Sequence, residues 1–255
     1  MQINLVKQGL RAGRLQLGVA LWQLPSAEIA RVYAAAGFDW IFLDTEHGGL
    51  DIGTVQDICR VANLVQVAPI VRVTDVQYPL IARALDCGAQ GVILPRVESP
   101  ALLEDAMRWA RFPPEGIRGF GLAGPQIAYE QHSMPEVIQH VNANTLVVLQ
   151  IETQRAVEAR DELLSIQGVD AVLVGPADLS ISLGVPGDFQ HPRMIDTVEA
   201  IRESCVRFGV APGLHARSIA LAKFWRDRGM LLLSCSNEIA LLHERASQVA
   251  TELRG

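Results

Sequence analysis

Short apolar runs and longer amphipathic segments alternate along this chain. A run of four to six residues rich in Val, Ile and Leu reads as a strand covered on both faces, and a following segment with apolar positions three and four apart reads as a helix lying over it. Eight such pairs can be counted. Strands are expected near Leu17 to Trp22, Trp40 to Leu43, Pro69 to Val73, Gly91 to Pro95, Leu146 to Ile151, Ala171 to Val174, Ala211 to Leu214 and Met230 to Ser234. Helices follow over Ala27 to Ala36, Ile52 to Asn63, Tyr78 to Cys87, Ala101 to Ala110, Thr153 to Ile166, Pro192 to Phe208, Ser218 to Arg228 and Glu238 to Leu253. A long loop, Arg111 to Ser133, and a short helix, Pro135 to Val141, are inserted after strand four. Helices that run out on Gly37, Gly88, Gly209 and Gly229 are expected to turn back through left-handed caps. The pattern predicts an α/β fold, a single (β/α)8 TIM barrel over residues 1 to 255, rather than an open doubly wound sheet. No Gly-x-Gly-x-x-Gly joins a strand to a helix; GIRGFG, at 116 to 121, has other spacings and lies in the long loop.

Composition sharpens this picture. At 255 residues the chain has the size of such a barrel, and 49% hydrophobic residues suit a sheet buried on both faces. A net charge of -6 without any basic run argues against nucleic acid or an anionic membrane as partner. The absence of a leader or a membrane span makes a cytoplasmic enzyme the expectation. The four cysteines, Cys59, Cys87, Cys205 and Cys235, form no C-x-x-C pair and read as buried thiols.

In a barrel, whatever follows each strand gathers at one rim. Strand two leads into Asp44, Glu46 and His47 in LDTEHGG, and strand three carries Arg72 in IVRVTD. Strand five leads into Gln150 and Glu152 in LQIET, strand six into Asp178 in GPADLS, and strand seven into His215; Asp86 precedes strand four. Each admits a structural reading. Asp178 could cap the next helix, Glu152 could cap the helix at Thr153, His47 could be a turn residue, Asp86 could end a helix, and Arg72 could pair with a core-edge carboxylate. Taken together they carry chemistry. Two carboxylates, Glu152 and Asp178, on adjacent strands suit a hard divalent ion such as Mg2+ or Mn2+, leaving positions open for a bidentate 2-oxo acid. Arg72 would face a developing enolate oxygen, and the Gly175, Pro176, Ala177, Asp178 turn would offer amides to a substrate carboxylate. His47 would serve as general base, its ring oriented by Asp44. With only Lys7 and Lys223, neither at a strand end, a Schiff base is disfavoured.

FDWIFLDTEHG, PIVRV, LDCGAQGVILPRVES, GIRGFG, LQIET and GPADLSISLG, in this order, resemble the HpcH/HpaI aldolase family, the class II pyruvate aldolases of the phosphoenolpyruvate/pyruvate barrel superfamily. The resemblance implies reversible cleavage of a 4-hydroxy-2-oxo acid to pyruvate or hydroxypyruvate and an aldehyde. It implies Glu152 and Asp178 as ligands of Mg2+, Mn2+ or Co2+, and His47 as a base acting through a metal-bound water. Asp44 and Asp86 would hold that base, Arg72 would stabilise the enolate, Gln150 would support the ligands, and Leu214 and His215 would contact substrate. It further implies a hexamer, a trimer of dimers, with C-terminal helices exchanged between protomers.

Three stretches depart from the family pattern. Leu122-Ala123-Gly124-Pro125-Gln126 replaces an Arg- and Ser-containing run in a loop expected to cover the site. His215 stands where an aliphatic residue is usual, either contacting the ligand's carboxylate end or capping a backbone group. Ser234-Cys235-Ser236-Asn237 replaces a pattern containing Gly and Asp. The competing readings are a citrate lyase β-like enzyme acting on a CoA thioester, for which the only basic cluster is Arg108, Arg111 and Arg118, and a non-catalytic barrel that binds metal and 2-oxo acid.

Overall fold

The apolar runs pair side by side, all parallel, and close on themselves in a computed structural model that describes residues 1–121, 127 and 129–255. The strands are β1 (Gln16–Leu21), β2 (Trp40–Asp44), β3 (Ala68–Arg72), β4 (Gly91–Leu94), β5 (Leu146–Ile151), β6 (Ala171–Val174), β7 (Gly213–Ala216) and β8 (Leu232–Asn237). Each pairs with its sequence neighbour, and β8 returns to β1. Every residue of β2 to β6 is buried, because one face packs into the barrel and the other under helices. The expected (β/α)8 barrel is therefore the observed fold.

The helices are α1 (Leu5–Arg11), α2 (Glu28–Ala36), α3 (Ile52–Leu64), α4 (Tyr78–Asp86), α5 (Pro100–Trp109), α6 (Met134–Asn144), α7 (Gln154–Glu158), α8 (Arg160–Leu164), α9 (Pro176–Ser182), α10 (Pro192–Phe208), α11 (Ile219–Arg226) and α12 (Glu238–Arg254). Val6 and Leu10 of α1 join Trp40, Ile70, Ile93, Val148 and Leu232 in the interior cluster, so α1 plugs the amino end of the barrel. Below it Lys7 donates to the Thr145 carbonyl at 2.7 Å and pairs with Asp170 at 3.0 Å, just ahead of β5 and β6. This lysine sits at the end opposite the carboxyl rim. Gly37 and Gly209 close α2 and α10 with left-handed backbone, as the sequence pattern expects.

Four features differ from expectation. The helix α1 is too short to announce itself by periodicity. The single helix expected from Thr153 to Ile166 is two, α7 and α8, meeting at Ala159. Strand seven begins at Gly213 because Pro212 has no N-H to give the ladder, leaving Ala211 an isolated bridge to Ala171. His215 consequently lies within the strand. Strand eight extends to Asn237, where its register with β1 shifts between Gly18 and Ala20 and Ser236 takes a φ of 64°.

The thiols fit their expected role. Cys59, Cys87 and Cys205 are buried, Cys235 is half-buried, all four are free, and burial pushes each above its ordinary pKa. No helix among the described residues is long and apolar enough to cross a membrane. The last helix, α12, is different from the others. Only Glu238 in it is buried, while Ile239, Leu242, Val249 and Leu253 stand exposed. The expected lid segment, 122–126, lies outside the described residues.

Candidate active site

At the carboxyl rim a cavity of about 250 Å3 is lined by residues from β2, β3, β5, β6 and β7 and the turns that follow them. Asp44 ends β2 and is wholly buried. Its carboxylate grips Arg72, the last residue of β3, through Nε at 2.9 Å and Nη2 at 2.6 Å. The same carboxylate accepts the backbone N-H groups of Glu46 at 2.9 Å and His47 at 3.3 Å, which folds the chain back after the strand. Gly48 completes the turn. A Cβ there would lie 2.2 Å from the Asp44 carbonyl oxygen and 2.6 Å from that of Trp22, so only glycine allows this approach.

Asp44 therefore does not orient the His47 ring. A residue three positions on presents its amide, not its side chain, to the acid in such a turn, and the bidentate guanidinium takes both oxygens. The ring, with a side chain 54% exposed, has Glu46 Oε1 as its neighbouring acid at 3.8 Å. Glu46, half-buried, is a bridge, pairing with Arg72 Nη1 at 3.2 Å and Arg96 Nε at 3.1 Å. Asp44 takes two of the five N-H groups of Arg72 in hydrogen bonds, and the contact with Glu46 is an ion pair without a hydrogen bond, so three N-H groups remain for a ligand. Its alternative reading as a paired core-edge arginine is correct, and compatible with a functional one.

Asp86 is not at this site within one chain. It ends α4, and barrel helices run back to the amino ends of the strands, so a residue preceding β4 belongs to the opposite rim. There it binds Arg118, which is buried and stacked over Phe112 at 4.6 Å.

The acids of β5 and β6 are brought together. Glu152 is 3% exposed; one oxygen accepts the Arg96 N-H at 3.1 Å and the other the Gln150 amide. The cap of α7 is Thr153, whose hydroxyl accepts from Ala156 at 3.1 Å, so Glu152 has no capping duty. Gly175 lies against it. A Cβ on Gly175 would come within 2.9 Å of the Glu152 carboxylate, which is why the strand-six turn opens on glycine. Asp178 falls in the first turn of α9, whose cap is Gly175 without a side-chain bond, so Asp178 is not the cap either. Ser180 instead donates to the Ala177 carbonyl at 2.7 Å and accepts from Gly187 at 3.0 Å. Gly175 gives its N-H to Ile151 and Pro176 has none, leaving the amides of Ala177 and Asp178 unspent at the helix start.

The electrostatics single out one group. Burial, reinforced by the neighbouring charges of Glu46 and Asp178, raises the Glu152 pKa against the opposing effects of the Gln150 hydrogen bond and of Arg72. Neither Glu152 nor Asp178 makes an ion pair with any described residue, and Gln150 Oε1, also buried, has no donor among them. Two hard oxygen donors without a counter-charge fit a divalent cation. Among the described residues no group of three or more His, Cys, Asp or Glu has metal-binding geometry, so the pair would leave most coordination positions open.

His215 of β7 lies beside Phe42, edge to face at 5.6 Å, and near Trp22 at 6.0 Å. Its Nδ1 is 3.0 Å from the hydroxyl of Ser234, a side chain and not the backbone group that a capping role would need. Leu214, its neighbour, is 1% exposed and is not part of the cavity wall. Residues with no place in the sequence reading also appear: Trp22, Phe42, Arg217 and, behind Glu152, Arg96. The rim rule could have found Arg96 and Arg217, since each directly follows a strand or its turn.

The family model of the HpcH/HpaI aldolase/citrate lyase group matches residues 20–236. A 4-hydroxy-2-oxo-heptane-1,7-dioate aldolase of Escherichia coli is 35% identical over 251 residues, covering 97% of this chain and 94% of its own. Among solved structures, an HpcH/HpaI aldolase of Desulfitobacterium hafniense is 32% identical with a TM-score of 0.92, over 97% of this chain and 96% of its own. An HpcH/HpaI aldolase/citrate lyase family protein of Burkholderia cenocepacia is 33% identical with a TM-score of 0.91, over 99% and 100%.

Burial, with Arg72 and Arg217 nearby and against the pull of Asp44, pushes the His215 pKa down to about 4. Between about pH 6.5 and 4 the unfolded chain takes up a proton here that the folded chain refuses, so stability is lost as pH falls through that window. The expected outcome is that wild type loses more thermal stability than His215→Gln as pH is lowered from about 7 to 4.5. A pH-independent difference in melting temperature between the two would contradict a neutral, buried ring.

Proposed function

The chain belongs to the HpcH/HpaI aldolase/citrate lyase family and is an aldolase, a carbon-carbon lyase, and from that premise we propose that it cleaves 4-hydroxy-2-oxo acids reversibly to pyruvate or hydroxypyruvate and an aldehyde, with a divalent metal ion held by Glu152 and Asp178. The observation that carries this reading is the buried Glu152 carboxylate, set beside Asp178 without a protein cation for either.

Mg2+, Mn2+ or Co2+ at that pair would polarise the 2-oxo group and favour charge on its oxygen. The protein does the rest. The amides of Ala177 and Asp178 at the start of α9 receive the substrate carboxylate. His47 takes the proton of the C4 hydroxyl, the C3-C4 bond breaks to release the aldehyde, and the electron pair passes to the C2 oxygen as an enolate. Arg72, fixed by Asp44 and Glu46, offers that oxygen its uncommitted N-H groups and a fixed positive charge. Return of the proton to C3 gives pyruvate. Gln150 holds Glu152 in place from below. A thioester substrate is less well served, because Arg111 and Arg118 are buried and already bound, to Asp170 and Asp86.

Methyl-proton exchange of pyruvate into D2O tests the half-reaction. Exchange should require a divalent ion, vanish with EDTA, fall roughly 100-fold or more in His47→Ala and be lost in Asp178→Ala while the barrel stays folded by circular dichroism. No exchange in wild type with any divalent ion would overturn the enolate mechanism, and full exchange in His47→Ala would remove the base role.

The exposed apolar residues of α12 support a homo-oligomer, of which the hexamer, a trimer of dimers, is the proposed form. Light scattering should give six times the chain mass, and a chain ending at His243 should give a smaller assembly; a monomer at full length would contradict it.

A further inference from the structure

The cavity has two unlike sides. Its acids, Asp44 and Asp178, stand at the end of β2 and in α9, whereas β7, the residue after it and the turn after β1 bring further hydrogen-bond donors to its wall, His215, Arg217 and Trp22. Arg217 follows β7 directly, is exposed, lines the cavity and makes no hydrogen bond or ion pair with any described residue. The other rim arginines are engaged, Arg72 by Asp44 and Glu46 and Arg96 by Glu46.

His215 adds a second donor. The Ser234 hydroxyl is wholly buried and has His215 Nδ1 as its one hydrogen-bond partner among the described residues. Satisfying that buried proton makes Nδ1 the acceptor and places the ring proton on Nε2. Trp22 supplies a third: its Nε1-H is out of contact with solvent and finds no acceptor among the described residues. The cavity also has an apolar lining, from Phe42, Leu173, Val174 and Pro176.

We propose that Arg217, with the His215 Nε2-H beside it, is the subsite for a terminal carboxylate on the aldehyde half of the substrate. The inference rests on the reading above in one respect, that the 2-oxo acid half lies at Glu152 and Asp178. The acid-lined side repels a second anion, the apolar stretch accommodates a methylene spacer, and the guanidinium meets a carboxylate with parallel N-H bonds. A phosphate ester, carrying close to two charges, would call for more than one cation.

Uncleavable analogues lacking the 4-hydroxyl test this by calorimetry in the presence of Mg2+. Wild type should bind 2-oxoheptane-1,7-dioate roughly tenfold or more tightly than 2-oxoheptanoate. Arg217→Met should erase that preference while moving 2-oxoheptanoate affinity less than about twofold, and Arg217→Lys should restore part of it. Equal binding of the two acids by wild type, a preference surviving in Arg217→Met, or binding of neither acid would overturn the subsite. No bond is cleaved in this measurement, so an absence of aldol turnover would count against the proposed function and leave this result standing.

Discussion

Burying a carboxylate without a cation beside it is costly, and the carboxyl rim of this barrel is arranged around one such group. Glu152 is held by the Arg96 amide and the Gln150 side chain, crowded by Asp178 and Glu46, and backed by a glycine whose missing Cβ makes room for it. Each of these contacts fixes its position, and none neutralises it. Glu46, by contrast, lies between two arginines, and Asp44 is closed by a bidentate one. The rim thus holds two kinds of acid. One kind is paired with guanidinium, and the other has no cation within ion-pair distance among the described residues.

The paired acids give the rim its working geometry. By binding Arg72 and the amides of Glu46 and His47 together, Asp44 places a guanidinium and an imidazole over the same cavity. Arg72 keeps donors free because Asp44 engages its Nε and one Nη2 N-H alone. The opposite wall, built on β7, carries donors instead of acids, and its register follows from Pro212 delaying the strand by two residues so that His215 falls within it. Donors from β7 and the turn after β1 thus join Arg72 and His47 around a cavity of about 250 Å3 whose acids are Asp44 and Asp178.

Much of this was legible in the chain. Alternating apolar runs and helical segments carry the barrel because a parallel sheet leaves no solvent face, and the rim rule then collects Asp44, His47, Arg72, Gln150, Glu152 and Asp178. The rule also sets Asp86 apart, because a residue before a strand belongs to the other end of the same barrel. Two features resist sequence reasoning for a physical reason. Which oxygen meets which donor depends on turn geometry, so Asp44 was expected at the His47 ring when it is spent on Arg72. The exposed face of α12 shows no departure from ordinary amphipathicity until its neighbours are known.

The central claim is that Glu152 and Asp178 seat a divalent cation that nothing in the chain replaces. Crystals grown with Mn2+ test it most directly through the anomalous difference map. One strong peak is expected between these two carboxylates, lost in Asp178→Ala with the surrounding backbone unchanged. A peak at the Asp44 and Glu46 cluster instead, or no peak at the rim at saturating Mn2+, would contradict it.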